Sequence, residues 1–175
     1  MSLKQKMFLF LFLGFITYSI MMLITLPYIS SSGQNPVFDM MSFGYTINDA
    51  VHILANLSQN QRLVYLFVQI PLDFIYPLSL GFFTYYAFKL MYTQLKFLKI
   101  FLFVPFAMTF FDYFENIFVV LMLNGLLNHN IVSISSLFTL LKSLSVMIVM
   151  TLLFIFLCVY FFTKYSRRSL IDHKE

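Results

Sequence analysis

Four long apolar stretches divide the chain, and short polar segments separate them. They cover about residues 7–28, 63–90, 97–123 and 131–162. A helix of roughly 20 apolar residues is long enough to cross the hydrocarbon core of a bilayer. The pattern therefore predicts an all-α, polytopic membrane protein: four transmembrane helices in an antiparallel bundle that form a single membrane domain over residues 1–175.

The longest connection, residues 29–62, contains a further helical pattern. Thr46 and Asp49 are spaced as the two ends of a capping box, in which the first side chain caps the helix and the second bonds back to it. Apolar residues follow at helical spacing. We therefore predict a short amphipathic helix over about residues 47–57, on the outer surface, followed by a turn into the second span.

Ionisable residues interrupt the last three apolar stretches: Asp73, Asp112, Glu115 and Lys142. A charge inside the bilayer costs at least a few kcal/mol unless it is paired, neutralised or hydrated, so such residues are functional candidates by default. At about 1.5 Å per helical residue, all four lie roughly 12–17 Å from the outer ends of their helices. The sequence thus predicts one charged layer near the middle of the membrane.

Other polar residues lie on the same helical faces as these charges. On the second span the stripe is Arg62, Tyr65, Gln69, Asp73 and Tyr76. On the third it is Thr109, Asp112, Glu115 and Asn116, and on the fourth Ser135, Thr139, Lys142 and Ser143. Polar stripes can satisfy one another inside a bundle, whereas lipid cannot satisfy them. The candidate site for a ligand, proton or cation is therefore Arg62, Tyr65, Gln69, Asp73, Tyr76, Asp112, Glu115, Asn116, Thr139 and Lys142.

The charges of the layer do not balance, because three carboxyl groups accompany one ammonium group. A low-dielectric interior opposes the surplus, so a proton or a cation must fill the deficit. A shared proton would allow acid/base chemistry, with Asp112, Glu115 and Lys142 as catalytic candidates. A bound cation would suit a carrier or metal-assisted chemistry. A salt bridge of Lys142 that only fixes helix packing is the alternative.

Composition supports lipid as the solvent and narrows the chemistry. The chain is 61% hydrophobic and 10% charged, whereas soluble domains carry about 25% charged residues. The single cysteine, Cys158, excludes an intrachain disulfide and paired-thiol chemistry. Neither a zinc-binding HExxH motif nor a phosphate-binding glycine loop occurs, so no metal site is predicted and no cofactor is identified. Basic residues lie at helix ends and form no aromatic-interleaved patch, which argues against nucleic acid as a partner.

The basic residues predict the orientation of the spans. The first group, Lys4 and Lys6, precedes the first span. The second group flanks the connection between the second and third spans and consists of Lys89, Lys96 and Lys99. The third group follows the fourth span and consists of Lys164, Arg167, Arg168 and Lys174. The other two connections contain only Arg62. Because basic loops stay cytoplasmic, both termini and the tail over residues 163–175 are predicted to be cytoplasmic, in a multi-pass protein of the cell membrane.

Several short motifs give the chain a resemblance to a known family. They are Gly44-Tyr45-Thr46 with Asp49-Ala50, Arg62 and Tyr65, Asp73-Phe74-Ile75-Tyr76-Pro77, Pro105, Asp112-Tyr113-Phe114-Glu115-Asn116, and Phe138-Thr139-Leu140-Leu141-Lys142. From about residue 38 to 150 the chain resembles a family of small, mostly bacterial four-span membrane proteins for which no activity is established. Where similar sequences tend to have a glycine shortly before the arginine, this chain has Asn60-Gln61. The resemblance supports the architecture and the choice of residues, and it implies no reaction.

Three functions are compatible with this pattern. The leading hypothesis is a protein that binds or transports a small ligand, coupled to a proton or cation on the buried carboxylates. A transport role would favour a homodimer, because four helices are few for a monomeric carrier. The first alternative is an intramembrane enzyme acting on a lipid or prenyl substrate, with Glu115 or Asp112 as acid/base and Lys142 or Arg62 holding an anion. The second is an accessory subunit whose polar layer only specifies packing. The identity of the ligand is left open.

Overall fold

The computed structural model describes residues 1–92 and 95–172, and this part of the chain is helical with no strand. Its helices are α1 (Leu3–Ile29), α2 (Ile47–Asn56), α3 (Gln59–Tyr92), α4 (Pro105–Leu123) and α5 (His129–Asp172). Four segments are long and apolar enough to cross a membrane, namely α1, α3, α4 with the turn before it, and α5. The all-α, polytopic architecture predicted from the sequence is confirmed.

The short helix α2 begins with the capping box that its sequence predicts. The Thr46 hydroxyl accepts a hydrogen bond from the backbone N–H of Asp49, and the Asp49 carboxylate accepts one of 2.8 Å from the backbone N–H of Thr46. These bonds from Thr46 lower the pKa of Asp49. The predicted capping box is therefore present. The buried side of α2, at Ala50 and Ile53, packs onto the bundle.

Two π-helical turns interrupt the long helices where α1 and α3 meet. One covers Met21–Thr25 in α1 and the other Tyr65–Gln69 in α3. The Thr25 hydroxyl donates a hydrogen bond to Oε1 of Gln69 across this contact. Such turns occur mostly as single insertions within α-helices and frequently mark functional sites. The polar stripe seen in the sequence does not predict these π-helical turns.

The proline-containing part of α3 is supported by polar groups of α4. The Thr109 hydroxyl donates to the carbonyl of Pro77 at 2.9 Å, and the Tyr113 hydroxyl donates to the carbonyl of Phe74 at 2.8 Å. A Cβ atom added to Gly81 would lie 3.0 Å from Thr109 Oγ1, so α3 and α4 are closely packed there. The missing N–H of Pro77 frees the carbonyl of Asp73, whereas these two hydroxyls bond to other carbonyls of the same stretch and fix α4 against it.

Two segments differ from the helical stretches expected from hydropathy. Residues Lys96–Phe101 form a 3₁₀ helix, and α4 begins only at Pro105, a residue favoured in the first turn because its missing N–H needs no partner there. At the other end, α5 continues to Asp172 and does not end near residue 162. No proline or glycine follows residue 162 to stop it. Within the predicted basic turn near residues 92–95, residues 93–94 lie outside the described chain, as does Lys174.

The helices pack in chain order, α1 on α3, α3 on α4 and α4 on α5, whereas α1 and α5 share few contacts among the described residues. Two apolar clusters cover the ends of this open arrangement. At the loop end, where residues 30–58 connect α1 to α3, the cluster includes Phe38, Tyr65 and Met122. At the basic end, where the chain passes from α3 to α4, it includes Phe88, Leu98 and Phe156.

Candidate functional site

A cavity of about 490 Å³ lies between α1, α3 and α5, with the loop before α2 above it. Its apolar wall consists of Met21, Met22, Leu26, Pro77, Leu80, Met108, Val146, Met147 and Met150. Its polar wall consists of Tyr18, Asp39, Ser42, Asp73, Tyr76, Asp112, Lys142 and Ser143. The volume is typical of sites for small organic molecules. The cavity therefore combines a few charged groups with a largely apolar lining.

The mouth of the cavity faces sideways, between α1 and α5. Of the lining residues on these helices, Tyr18, Met22 and Met147 are 45%, 43% and 59% exposed. Each lies in the middle of its apolar span, away from the helix ends. Because α1 and α5 barely touch in the described residues, the cavity opens sideways between them. Ser42, an exposed residue of the loop, also lines it.

Lys142 joins α5 to α4 through two carboxylates. Its Nζ lies 2.8 Å from Oδ1 of Asp112 and also contacts Oε2 of Glu115. Both carboxylates are buried on the same face of α4. Asp112 and Lys142 line the cavity, whereas Glu115 stands behind the lysine and does not. The lysine is therefore fully engaged by carboxylates and is poorly placed to hold an anion.

Glu115 is linked to the loop through two polar residues of α5, Thr139 and Ser135. Thr139 donates a hydrogen bond of 2.7 Å to Oε1 of Glu115, and its hydroxyl also lies 3.1 Å from the carbonyl of Ser135. The Tyr45 hydroxyl donates to Ser135 Oγ at 2.6 Å. Burial raises the pKa of Tyr45 above its usual value, so this hydroxyl keeps its proton. The loop is thereby anchored to α5 above the charged residues.

Asp73 occupies the opposite side of the cavity. It is 5% exposed, and the Gln69 amide donates to its two oxygens at 3.2 and 3.1 Å. Gln69 is held in turn by Thr25 across the contact between the π-helical turns. The two π-helical turns therefore orient the Asp73 carboxylate through the Gln69 amide, which is a neutral donor. Among the described residues, no cation bonds to this carboxylate.

A second carboxylate, Asp39, faces Asp73 from the loop. It lines the same cavity as Asp73 and accepts a 2.6 Å hydrogen bond from the Tyr65 hydroxyl. Two ionised carboxyl groups in one low-dielectric cavity oppose each other, so a shared proton or a cation would stabilise the pair. Sequence reasoning missed Asp39, because a loop has no periodicity that could assign it to a face.

Of the remaining predicted site residues, some line the cavity and others do not. Tyr76 lines the cavity, with its ring 5.4 Å from that of Tyr18. Arg62 is not among the residues that line the cavity, and its guanidinium donates to the carbonyl of Leu54 at 3.5 Å. Asn116 is buried, and its Nδ2 has no hydrogen-bond partner in the part of the chain that the structure describes. No group of metal-ligating side chains occurs among the described residues.

Comparison with protein-family models, curated proteins and solved structures finds no match to this chain. The family resemblance noted from the sequence motifs therefore stays a prediction. What is established is the polytopic helical architecture and the geometry of the cavity.

Proposed function

We propose that this membrane protein binds a small amphipathic ligand that reaches the cavity from within the bilayer. One observation carries the proposal: the cavity is lined by both charged residues and methionines, and its exposed lining residues on α1 and α5 lie at mid-span. An amphipathic molecule matches both walls at once. Its polar group would contact Asp39, Asp73 and Asp112, and its apolar part would lie against Met21, Met147 and Met150.

Transport across the membrane is less well supported by this arrangement. A carrier needs access to its site from both aqueous sides, but apolar clusters around Phe38 and Phe88 cover the two ends of the bundle. An accessory subunit whose polar layer only specifies helix packing is also less well supported. Such a layer would be dry and fully paired, and no cavity would lie beside its charged residues. A homodimer is required by the transport hypothesis alone, so we do not include it in the proposal.

An intramembrane enzyme is the second candidate function. The presence of both Asp39 and Asp73 in the cavity lining favours it, because a carboxyl pair that shares a proton can act as acid and base. Asp112 also faces the cavity, whereas Glu115 does not, so we assign the acid/base role in this hypothesis to the three aspartates. Lys142 would orient Asp112.

We also propose that the basic end of the bundle is cytoplasmic in the cell membrane. Lys4, Lys89, Lys96 and Lys164 lie at this end, and the positive-inside rule then puts the loop end outside. The mouth of the cavity would open to the bilayer in either orientation.

Photolabelling in liposomes tests the binding proposal. The probe is a neutral long-chain alcohol with a diazirine, and the measurement is the label on Met108, a cavity residue that is 1% exposed. Labelling is expected in the wild type and should be lost in Val146→Trp, which fills the cavity. Ile148→Trp is the matched control, because Ile148 is 53% exposed and does not line the cavity. Unlabelled Met108 in the wild type, or equal labelling in all three proteins, would contradict the proposal.

A further inference from the structure

Charge and aromatic geometry in the cavity identify the kind of polar group that it accepts. We propose that the ligand carries an ammonium group, which binds between Asp39 and Asp73 and against the rings of Tyr18 and Tyr76. This inference rests on the proposed function and adds the class of ligand to it.

The charges of the site leave a deficit of positive charge. Around Lys142 and the cavity lie four carboxyl groups, those of Asp39, Asp73, Asp112 and Glu115, against one ammonium. If Asp39 and Asp73 share a proton, the pair keeps one negative charge. Lys142 with Asp112 and Glu115 keeps another. A low-dielectric site opposes such a surplus unless a cation neutralises it.

The protein itself supplies no further cation to this site. Lys142 is the only basic residue among those that line the cavity in the described chain. Arg62, the nearest basic residue along the polar stripe of α3, is directed to the carbonyl of Leu54. A ligand with a phosphate or carboxylate head would therefore meet carboxylates and a lysine that is already paired with Asp112 and Glu115. The missing positive charge has to come from the ligand or from additional protons.

Two aromatic rings favour an organic ammonium over a bare proton. The rings of Tyr18 and Tyr76 lie 5.4 Å apart in the wall that also carries Asp73. Aromatic faces beside a carboxylate are the usual surroundings of a bound ammonium, because the ring quadrupole attracts a cation while tolerating its alkyl substituents. The 45% exposure of Tyr18 puts one ring at the mouth, where the head of an amphiphile would pass.

The ammonium could belong to a free amphiphilic amine or to the ethanolamine of a phospholipid. Both share the chemistry that Asp39, Asp73 and the two tyrosines recognise. They differ in that the phospholipid brings a phosphate next to the ammonium, and the cavity offers no free cation to that phosphate. The experiment below therefore includes both sources.

Competition against the diazirine alcohol tests this inference. Dodecylammonium, dodecanol, dodecanoate and a lysophosphatidylethanolamine are each added to liposomes that contain the wild-type protein, and the label on Met108 is measured. Dodecylammonium should compete at a concentration roughly ten-fold lower than dodecanol, which corresponds to one good charged hydrogen bond. Dodecanoate should compete least. Strong competition by the lysophospholipid would assign the ammonium to a phospholipid, and weak competition would assign it to a free amine.

Variants of cavity residues distinguish binding at the ammonium site from nonspecific partitioning of the competitors into the membrane. Asp73→Asn should remove most of the preference for dodecylammonium over dodecanol. Tyr18→Leu should reduce it by roughly two- to five-fold, as expected for one exposed cation–π contact. Tyr28→Leu is the matched control, because Tyr28 is a similarly exposed tyrosine of α1 that does not line the cavity. Tyr18→Leu changes an exposed side chain, so it tests the inference even if Asp73→Asn does not fold.

The outcomes distinguish this inference from the function on which it rests. If Met108 is labelled but dodecanoate competes as well as dodecylammonium, the ammonium preference is overturned while binding from the bilayer stands. An unchanged preference in both Asp73→Asn and Tyr18→Leu overturns it as well. If Met108 is not labelled at all, the proposed function fails and the inference fails with it.

Discussion

The hydroxyl of Tyr65 donates a 2.6 Å hydrogen bond to Oδ2 of Asp39, and this bond joins the loop before α2 to the π-helical turn of α3. Asp39 lines the cavity together with Asp73, so the loop contributes a carboxylate to a site whose other charged residues lie on helices. The loop therefore does more than connect two spans. It completes the polar wall of the site.

The first prediction tests this bond. Tyr65→Phe keeps the buried ring and removes only the hydroxyl, so Asp39 loses its donor. We expect a loss of about 1–3 kcal/mol in the free energy of unfolding, because a partly buried carboxylate is left underbonded. Amide hydrogen exchange over residues 37–41 should become faster. Tyr113→Phe is the matched control: it removes a bond to the carbonyl of Phe74 and should leave exchange in the loop unchanged. Equal exchange in the two variants would show that Tyr65 does not hold the loop.

The second prediction concerns the lysine between α4 and α5. Lys142→Met leaves Asp112 and Glu115 buried without their cation, so it should destabilise the protein by about 3–5 kcal/mol. Glu115→Gln should cost much less, because Thr139 can still donate to the amide oxygen and Lys142 keeps Asp112. Unfolding of the purified variants in detergent measures both.

A double variant identifies the cause of that difference. In Lys142→Met/Glu115→Gln one of the two unpaired carboxylates is neutral, so the double variant should be more stable than Lys142→Met alone. If Glu115→Gln unfolds as readily as Lys142→Met and the double variant is worse than both, uncompensated charge is not the reason. The shape of the Glu115 side chain would then be what matters.

The third prediction concerns orientation. In a Cys158→Ala background, single cysteines replace Gln34, in the loop, or Tyr165, near the end of α5. Both positions are exposed, and neither change alters a basic residue. An impermeant maleimide added to intact cells should label the cysteine at position 34 and not the one at position 165, because the basic end is expected to be cytoplasmic. The reverse pattern would invert the proposed topology, and both should react after the membrane is permeabilised.

The sequence predicted the features that depend on neighbouring residues or on helical periodicity. The spans follow from hydropathy, the capping box of α2 from the spacing of Thr46 and Asp49, and the shared face of Asp112 and Glu115 from helical periodicity. The matched depth of Lys142 also anticipated its contact with these two carboxylates. Each of these features depends on a few neighbouring residues or on distance along one helix.

The rest of the site depends on tertiary contacts that periodicity cannot supply. Asp39 reaches the cavity because the loop folds back over the bundle, which no repeat in the sequence indicates. The π-helical turn at Tyr65–Gln69 rotates the residues after it relative to those before it, which helps explain why Arg62 does not share the site with Asp73. The lateral mouth exists because α1 and α5 do not close the bundle. That outcome depends on all the helix contacts together.

The last prediction concerns Gly44, which holds the loop against α5. Its φ of +86° lies in the left-handed region, and a Cβ atom there would be 2.6 Å from Ser136 Oγ and 3.3 Å from the Ser136 carbonyl. Gly33 has nearly the same φ, +85°, but a Cβ atom there would have no neighbour within 4 Å. Gly33→Ala therefore carries only the backbone strain, roughly 1–2 kcal/mol. Gly44→Ala carries the same strain together with the clash.

The clash should displace the loop, because Ser136 Oγ accepts a 2.8 Å hydrogen bond from the backbone N–H of Tyr45. Gly44→Ala should therefore lose clearly more unfolding free energy than Gly33→Ala, and hydrogen exchange at Tyr45 and over residues 37–41 should become faster in Gly44→Ala alone. Removing the obstructing hydroxyl with Ser136→Ala in the Gly44→Ala protein should recover only part of the stability, since the carbonyl contact persists and the bond to Tyr45 is gone. If the two glycine variants behave alike, the loop is not held at Gly44, and Asp39 must be kept at the cavity by Tyr65 alone.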